Sequence, residues 1–243
     1  IKSNVFSTAN IAISLGSTSS MDISENKIGL KSDGVTPFQP TTNFDAVILM
    51  CSGFAGKTYN VMNNTITGFR NGITACAVPI AYRYNISRNS IYCNSNAGIF
   101  ISNNTVRATI TAATPIKISG SSVNASGNLL TVEVFRNNDS NCIGYPCQGK
   151  VFLGSAVLDA SGNWFLDCPG GVSPSGVALN VNDKITATLL PKLAGGATSN
   201  FSMCASISCP NEVPACLNPS SSLMDGLVAN YTFDSHACYV SGN

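Results

Sequence analysis

Three segments decide the fold: DISENKIG (22–29), NVMNNTIT (60–67) and NISRNSIY (85–92). Laid together, each reads polar, aliphatic, two variable residues, Asn, one variable residue, Ile, with Asn26, Asn64 and Asn89 in the shared Asn position. The separations of those asparagines (64 − 26 = 38 and 89 − 64 = 25) describe coils of about two dozen residues, one of them carrying an insertion. An aliphatic residue on each side of a turn residue makes two short strands with apolar faces turned the same way, and stacked coils then bury one continuous column. At the bend, Asn tolerates left-handed backbone angles, and its side chain can bond to the equivalent position one coil away. A flanking Gly-Leu or Gly-Ile recurs as Gly29-Leu30, Gly72-Ile73 and Gly98-Ile99. The competing reading takes the same Asn-rich stretches as β-turns of an antiparallel sandwich.

From about Val106 the texture changes to longer alternating strands, at 116–119, 129–136, 150–159, 163–168, 183–190 and 200–204, separated by Gly, Asn, Asp and Ser turns. That period-two pattern is the signature of two packed antiparallel sheets. Asp159 to Asn163 reads as a hairpin turn, and Trp164, the only tryptophan, falls on the inward side of the strand that follows, as a core anchor. Residues 208–222, rich in Pro, Ser and Cys, read as a clipped linker.

Composition limits what such a chain can do. Only 10% of its 243 residues are charged, against about 25% in ordinary domains, and the formal net charge is +1. With no Lys/Arg cluster there is no electrostatic footprint for nucleic acid or an anionic membrane. The longest apolar run, Ala46 to Cys51, is far shorter than the roughly 20 residues that span a bilayer, so no membrane span is expected. The chain begins at Ile1 with no basic-then-apolar leader, and is read as mature or as a fragment.

Ten cysteines at irregular spacing, without a CxxC pair or a His-rich cluster, favour disulfides over zinc and hence an oxidising, extracellular setting. Cys142 with Cys147 and Cys209 with Cys216 bracket short loops. Cys51 with Cys76 and Cys168 with Cys204 are candidate longer pairs, although spacing does not fix connectivity. Cys93 and Cys238 are then left over, to bond each other or a neighbouring chain.

Catalytic chemistry finds few residues to work with. A lyase built on stacked coils would need clustered carboxylates for calcium and a basic residue near the sugar. Asp22, Glu25, Asp33 and Asp45, with Lys27, Lys31, Arg70, Arg83 and Arg88, are scattered, and are read as solvated charges on coil edges. The sole histidine, His236, lies in the Cys-containing tail, and Gly170-Gly171 and Gly195-Gly196 open no helix that could cradle a phosphate. Neither a catalytic residue nor a resident metal or cofactor is expected. Calcium would be the one candidate ion, near Asp139, Asp159, Asp167 and Asp183, but their spacing matches no calcium loop and turn solvation is the expectation. Sequons at Asn63, Asn85, Asn103, Asn124, Asn138, Asn200 and Asn230 arise by chance in a chain of this composition and carry little weight.

The aliphatic–Asn–Ile segments resemble the right-handed parallel β-helix repeats of pectate-lyase-like proteins and bacterial surface proteins. Further on, VEVFRNN, the Cys-x4-Cys loop, QGKVFLGSAVLDASGNWFLD and DKITATLL resemble the immunoglobulin-like modules of large secreted Bacteroidetes surface proteins. The tail GLVANYTFDSHACYVSGN is similar to the opening strand of laminin-G-like domains. Together these resemblances imply an all-β chain: a short right-handed parallel β-helix over 1–106, an immunoglobulin-like β-sandwich over 107–207, the linker, and a terminal strand within 223–243. They imply an extracellular structural or adhesive surface protein with no catalytic residues to carry over. Open sheet edges would then invite head-to-tail assembly with copies of itself through Leu227, Val228, Ala229, Asn230, Tyr231, Thr232 and Phe233, locked by Cys238 or Cys93. The rival expectation is a carbohydrate-binding adhesin or polysaccharide lyase whose coils hold surface glycan, with Tyr82 and Tyr84 as stacking residues and Tyr59, Tyr92 and Phe100 as further candidates.

Overall fold

The computed structural model describes residues 1–8, 10–15, 19–38, 43–49, 57–75, 82–102, 104, 106–122, 130–138, 147–191 and 197–209. Over these residues the chain is all-β. Its first part consists of short strands: β1 (Val5–Phe6), β2 (Ile13–Leu15), β3 (Met21–Ser24), β4 (Lys27–Ile28), β5 (Val47–Leu49), β6 (Lys57–Met62), β7 (Thr65–Thr67), β8 (Asn71–Ala75), β9 (Tyr82–Ser87), β10 (Ser90–Tyr92) and β11 (Ala97–Ile101). They form three parallel sheets, β1-β4-β7-β10, β2-β5-β8-β11 and β3-β6-β9. Successive strands visit these sheets in strict rotation, so each strand's neighbours are the strands one circuit earlier and later. Parallel pairing excludes the reading of these stretches as antiparallel turns.

The pairing register is the one the sequence alignment gives. Asp22, Asn60 and Asn85 lie abreast, as do Ile23, Val61 and Ile86, while Ile28, Ile66 and Ile91 align on the next sheet. All six aliphatic side chains are buried. The asparagines of the motif run down the inside of the bend as a ladder. Asn26 donates from its backbone N and its Nδ2 to Asn64 Oδ1, both at 2.9 Å, and Asn64 donates in the same two ways to Asn89 Oδ1, again at 2.9 Å. Asn4 extends the ladder by one rung onto Asn26 Oδ1.

The left-handed backbone falls one residue earlier than expected, at Glu25 (φ 58°), Asn63 (φ 57°) and Arg88 (φ 52°). The outward residue makes the bend, which leaves the buried asparagine free to turn its amide inward along the ladder. The Gly-aliphatic pairs also divide. Gly72 and Gly98 face each other in adjacent coils, where a Cβ on Gly72 would lie 2.6 Å from the Gly98 carbonyl oxygen, whereas Gly29 sits in the turn after β4 with φ 81°.

Pairing changes from parallel to antiparallel after β11. The strands β12 (Ala108–Ala113), β13 (Lys117–Ser122), β14 (Leu130–Arg136), β15 (Val151–Val157), β16 (Asn163–Asp167), β17 (Lys184–Pro191) and β18 (Ala205–Ser206) form two sheets, β12-β13-β16 and β15-β14-β17-β18. A second core lies between them, with Val132, Val134, Leu153, Trp164, Leu166 and Ile185 buried. Trp164 points inward as expected, and Gly120 opposite makes room for its ring: a Cβ there would come within 2.5 Å of it.

Three sequence expectations change here. Asp159 to Asn163 is not a hairpin turn, because β15 and β16 belong to different sheets. The Asp159 carboxylate accepts N–H groups of Ser161 and Asn163, both at 2.8 Å, and turns the chain from one sheet to the other. The strand expected at 200–204 is irregular, because its polar groups are spent elsewhere, and β12 lies outside the expected set.

Candidate functional site at the junction

The last coil of the parallel stack ends in β9, β10 and β11, whose outer edge would expose a row of unpaired backbone groups. Residues of the antiparallel part close that edge. Ile86 N donates to Thr198 Oγ1 at 2.8 Å and Thr198 N donates to Tyr84 O at 2.9 Å. Ile91 N donates to Gly149 O at 2.7 Å, and Ile101 N donates to Asn200 Oδ1 at 2.8 Å. At the bend between β10 and β11, Gln148 Oε1 accepts both the backbone N and the Nδ2 of Asn94. The apolar column is closed by Phe135 and Phe201, which are buried in the core of the stack and meet edge to face at 5.7 Å. The expectation of an open stack end therefore fails on this side: the irregular segments 147–149 and 198–201, with Phe135 of β14, satisfy it.

Where the two parts meet beside β9 they border an open cleft of ≈ 350 Å³. Asn63, Arg83, Asn85 and Arg88 line it from the stack, and Glu133 and Ser155 from the antiparallel sheet. Glu133 is buried at 3% exposure. Its Oε1 accepts from Ser87 Oγ at 2.6 Å and its Oε2 from Arg88 N at 2.9 Å. Burial pushes the Glu133 carboxyl above its usual range, and the two hydrogen bonds and the Arg88 charge only partly oppose this. The Arg88 guanidinium lies 5.4 Å from the centre of the Phe152 ring. A polar strip runs from the cleft along the sheet face: Asn85 Nδ2 donates to Asn60 Oδ1 at 3.1 Å and Asn60 Nδ2 to Asp22 Oδ1 at 2.6 Å.

The residues singled out from sequence are dispersed. Tyr84 is not available to a glycan: it is wholly buried, 5.7 Å from the ring of Tyr59, which is buried too, because period-two alternation on β6 and β9 turns both inward. Tyr82 begins β9, and its side chain lies outside the described residues. Tyr92 carries Lys150 Nζ 4.5 Å above its ring, and Phe100 is exposed on β11.

The carboxylates considered for catalysis each serve a local bond. Glu25 pairs with Lys2 at 3.2 Å. Asp33 caps its own turn through Val35 N, Thr36 N and Thr36 Oγ1, and these bonds, the Thr36 hydroxyl foremost, lower its pKa to about 2. Buried Asp45 accepts from Arg70, Asn71 and Thr74. Burial alone would raise its carboxyl, but these bonds and the Arg70 charge outweigh it and hold the group below its usual range. Asp183 takes Arg136 and Asn138, and Asp159 its own turn; Asp139 lies outside the described residues. Among the described residues, no three His, Cys, Asp or Glu side chains come together as a metal site.

The cysteine pairing differs from the sequence expectation. Cys147 is bonded to Cys204, so neither the short Cys142–Cys147 clip nor a Cys168–Cys204 bridge forms. Spatial neighbourhood decides this: Cys147 adjoins Gln148, and Cys204 ends the segment carrying Thr198, Asn200 and Phe201, so the bridge fastens two closures of the stack to each other. Cys168 is a buried free thiol, raised above its usual pKa by burial and by the charge of Asp167. Cys93, expected as a spare, is disulfide-bonded within the chain, as is Cys209. Cys51, Cys76, Cys142, Cys216, Cys238 and the segment Leu227 to Phe233 lie outside the described residues.

Sequence reasoning missed Glu133, Gln148, Thr198, Asn200 and Phe201. One signal was present: in the strand LTVEVF, Glu133 and Phe135 share the face opposite Val132 and Val134, and an outward phenylalanine beside an outward glutamate marks a face that something covers. No helix among the described residues is long and apolar enough to cross a membrane. Compared with known proteins, the chain matches no family model, and no match is found among curated proteins.

Proposed function

We propose that this chain is a structural, adhesive segment of an extracellular surface protein, in which a short parallel β-helix is extended by an immunoglobulin-like sandwich. The observation that carries this reading is the junction: Phe135 and Phe201 of the second part complete the core of the first, and Thr198, Gly149, Gln148 and Asn200 close its last edge. Hydrogen bonding and apolar burial thus run from one part into the next, which suits a load-bearing spacer. Disulfides and a surface of neutral polar groups fit an oxidising environment outside the cell.

Assembly with further copies belongs to the same reading. Because the stack is closed on its sandwich side, the acceptor for strand addition is the sandwich itself, where β15 and β16 are each paired on one side only among the described residues. The donor is the segment Leu227 to Phe233 of a neighbouring copy, with Cys238 as a covalent lock. Repetition of such a contact without closure makes a filament.

Negative-stain electron microscopy and sedimentation of the non-reduced chain test this. End-to-end rods that disappear when Tyr231 and Phe233 are changed to Asp are the expected result; a compact monomer at every concentration would rule assembly out.

A further inference from the structure

Strand β16 is the outer strand of its sheet, and its free edge carries a specific pattern of backbone groups. Cys168 N donates to Ile116 O and Ser122 N to Gly162 O, both at 2.8 Å, at the two ends of the ladder between β13 and β16. Alternation between those bonded pairs directs Trp164 and Leu166 at β13, so Asn163, Phe165 and Asp167 turn their N–H and C=O groups the other way. Asn163 spends its pair on Asp159: its C=O accepts Asp159 N and its N–H reaches the Asp159 carboxylate, both at 2.8 Å. The outward groups of Phe165 and Asp167 have no partner among the described residues.

We propose that this edge is where two copies of the chain pair, β16 against β16, about a two-fold axis through Leu166. In that register Phe165 lies opposite the partner's Asp167, and Asp167 opposite the partner's Phe165. Every outward N–H of one edge then meets an outward C=O of the other, and the two sheets become continuous. An axis through Phe165 would instead set Asp167 against the partner's Asn163, whose groups Asp159 already holds.

The side chains of the outer face favour the same register. Lys117 is the cross-strand neighbour of Asp167, yet its Nζ lies 4.5 Å from the centre of the Phe165 ring. The partner's Asp167 stands on the far side of that ring, so the ammonium of each copy meets the carboxylate of the other across a phenylalanine that is 56% exposed in the single chain. Edges that resist pairing carry a proline, a bulge or an unmatched charge. β16 has neither proline nor bulge, and its one charge is matched by the partner's Lys117.

This contact is separate from strand addition by Leu227 to Phe233, for which β15 remains, and being isologous it closes after two copies. The test is sedimentation velocity of the full non-reduced chain carrying Tyr231→Asp and Phe233→Asp, which removes strand addition, from about 1 to 200 μM. A reversible monomer–dimer equilibrium with Kd on the order of 10 μM is expected. Phe165→Pro removes an N–H that β13 does not use, a change edge strands tolerate, and should weaken the dimer at least about tenfold. Lys117→Asp and Asp167→Lys should each weaken it about fivefold, and the double variant should recover most of that loss. Hydrogen exchange of Phe165 and Asp167 should slow as the dimer forms, with Ser155 and Val157 on β15 unchanged. Thermal melts of each variant establish that the fold persists. A monomer at every concentration, a dimer unmoved by Phe165→Pro or by the single charge reversals, or protection of Ser155 and Val157 in place of Phe165 and Asp167 would each overturn the proposal.

Discussion

Gln148 and Asn94 form a reciprocal pair in which a side chain from the antiparallel part acts as the next rung of the parallel one. Gln148 Oε1 accepts from Asn94 N at 3.1 Å and from Asn94 Nδ2 at 2.9 Å, while Gln148 Nε2 donates to Asn94 O at 2.6 Å. Asn94 Oδ1 in turn accepts from Phe69 N at 3.1 Å, one coil earlier. A glutamine borrowed from elsewhere in the chain thus supplies what a further coil would have supplied.

Because both residues are wholly buried, truncating Gln148 leaves donors and an acceptor of Asn94 without partners. Gln148→Ala is expected to lower stability by about 3 kcal/mol, measured by denaturant unfolding. Hydrogen exchange at Ile91 and Asn94 should rise more than at Trp164 in the second core. A uniform rise across both parts would mean that the pair adds only general stability.

The ladder predicts a contrast between adjacent residues. Asn64→Ala removes rungs to both neighbouring coils and should cost about 3 kcal/mol. Asn63→Gly, one residue earlier at φ 57°, relieves left-handed strain and should be neutral or stabilising by up to about 1 kcal/mol. Thermal melts of the two variants give the comparison directly.

The Cys147–Cys204 bridge spans 57 residues and joins the two segments that close the stack. The double variant Cys147→Ala/Cys204→Ala is expected to lose about 3 kcal/mol, with exchange increasing first at Ile86 and Ile101. Cys168→Val, filling a buried site of similar volume, should change stability by less than about 1.5 kcal/mol.

Two carboxyls give opposite pH signatures. Asp45 is lowered in the fold from 3.8, so its contribution is complete above that value and is lost as pH falls through its folded pKa. Glu133 is raised from 4.5, so its contribution is complete below that value and is lost as pH rises through its folded pKa. Acidification from pH 7 to 4.5 should therefore relieve the cost of burying ionised Glu133, and further acidification should remove the Asp45 bonds. Stability profiles of Glu133→Gln and Asp45→Asn should each flatten in their own window, the first above pH 4.5 and the second below 3.8.

Much of the fold was legible because it is set by period and repeat. Alignment of the three motifs gave the register, since Ile23, Val61 and Ile86 must enter one column, and alternation placed Trp164 inward. What was not legible depends on contacts distant in sequence. Thr198 bonds Tyr84 across more than a hundred residues, and Cys147 finds Cys204 rather than Cys142; neither is encoded in local spacing. Tyr84 is a core residue and not a sugar platform, because the alternation of β9 places it beside Tyr59 inside the stack. The cleft could not be read at all, since residues of β9 and β14 line it together only when two differently built sheets are brought side by side.

The parallel and antiparallel parts are one continuous structure joined through the last coil. Native-state hydrogen exchange of the amides of Ile86, Ile91, Asn94 and Ile101 tests it most directly. These four are expected to exchange only through the opening that also exposes Ile66 and Ile185 in the two cores, in a single cooperative transition. Rapid exchange at these four amides while Ile66 and Ile185 remain protected would contradict it, because the junction would then open on its own.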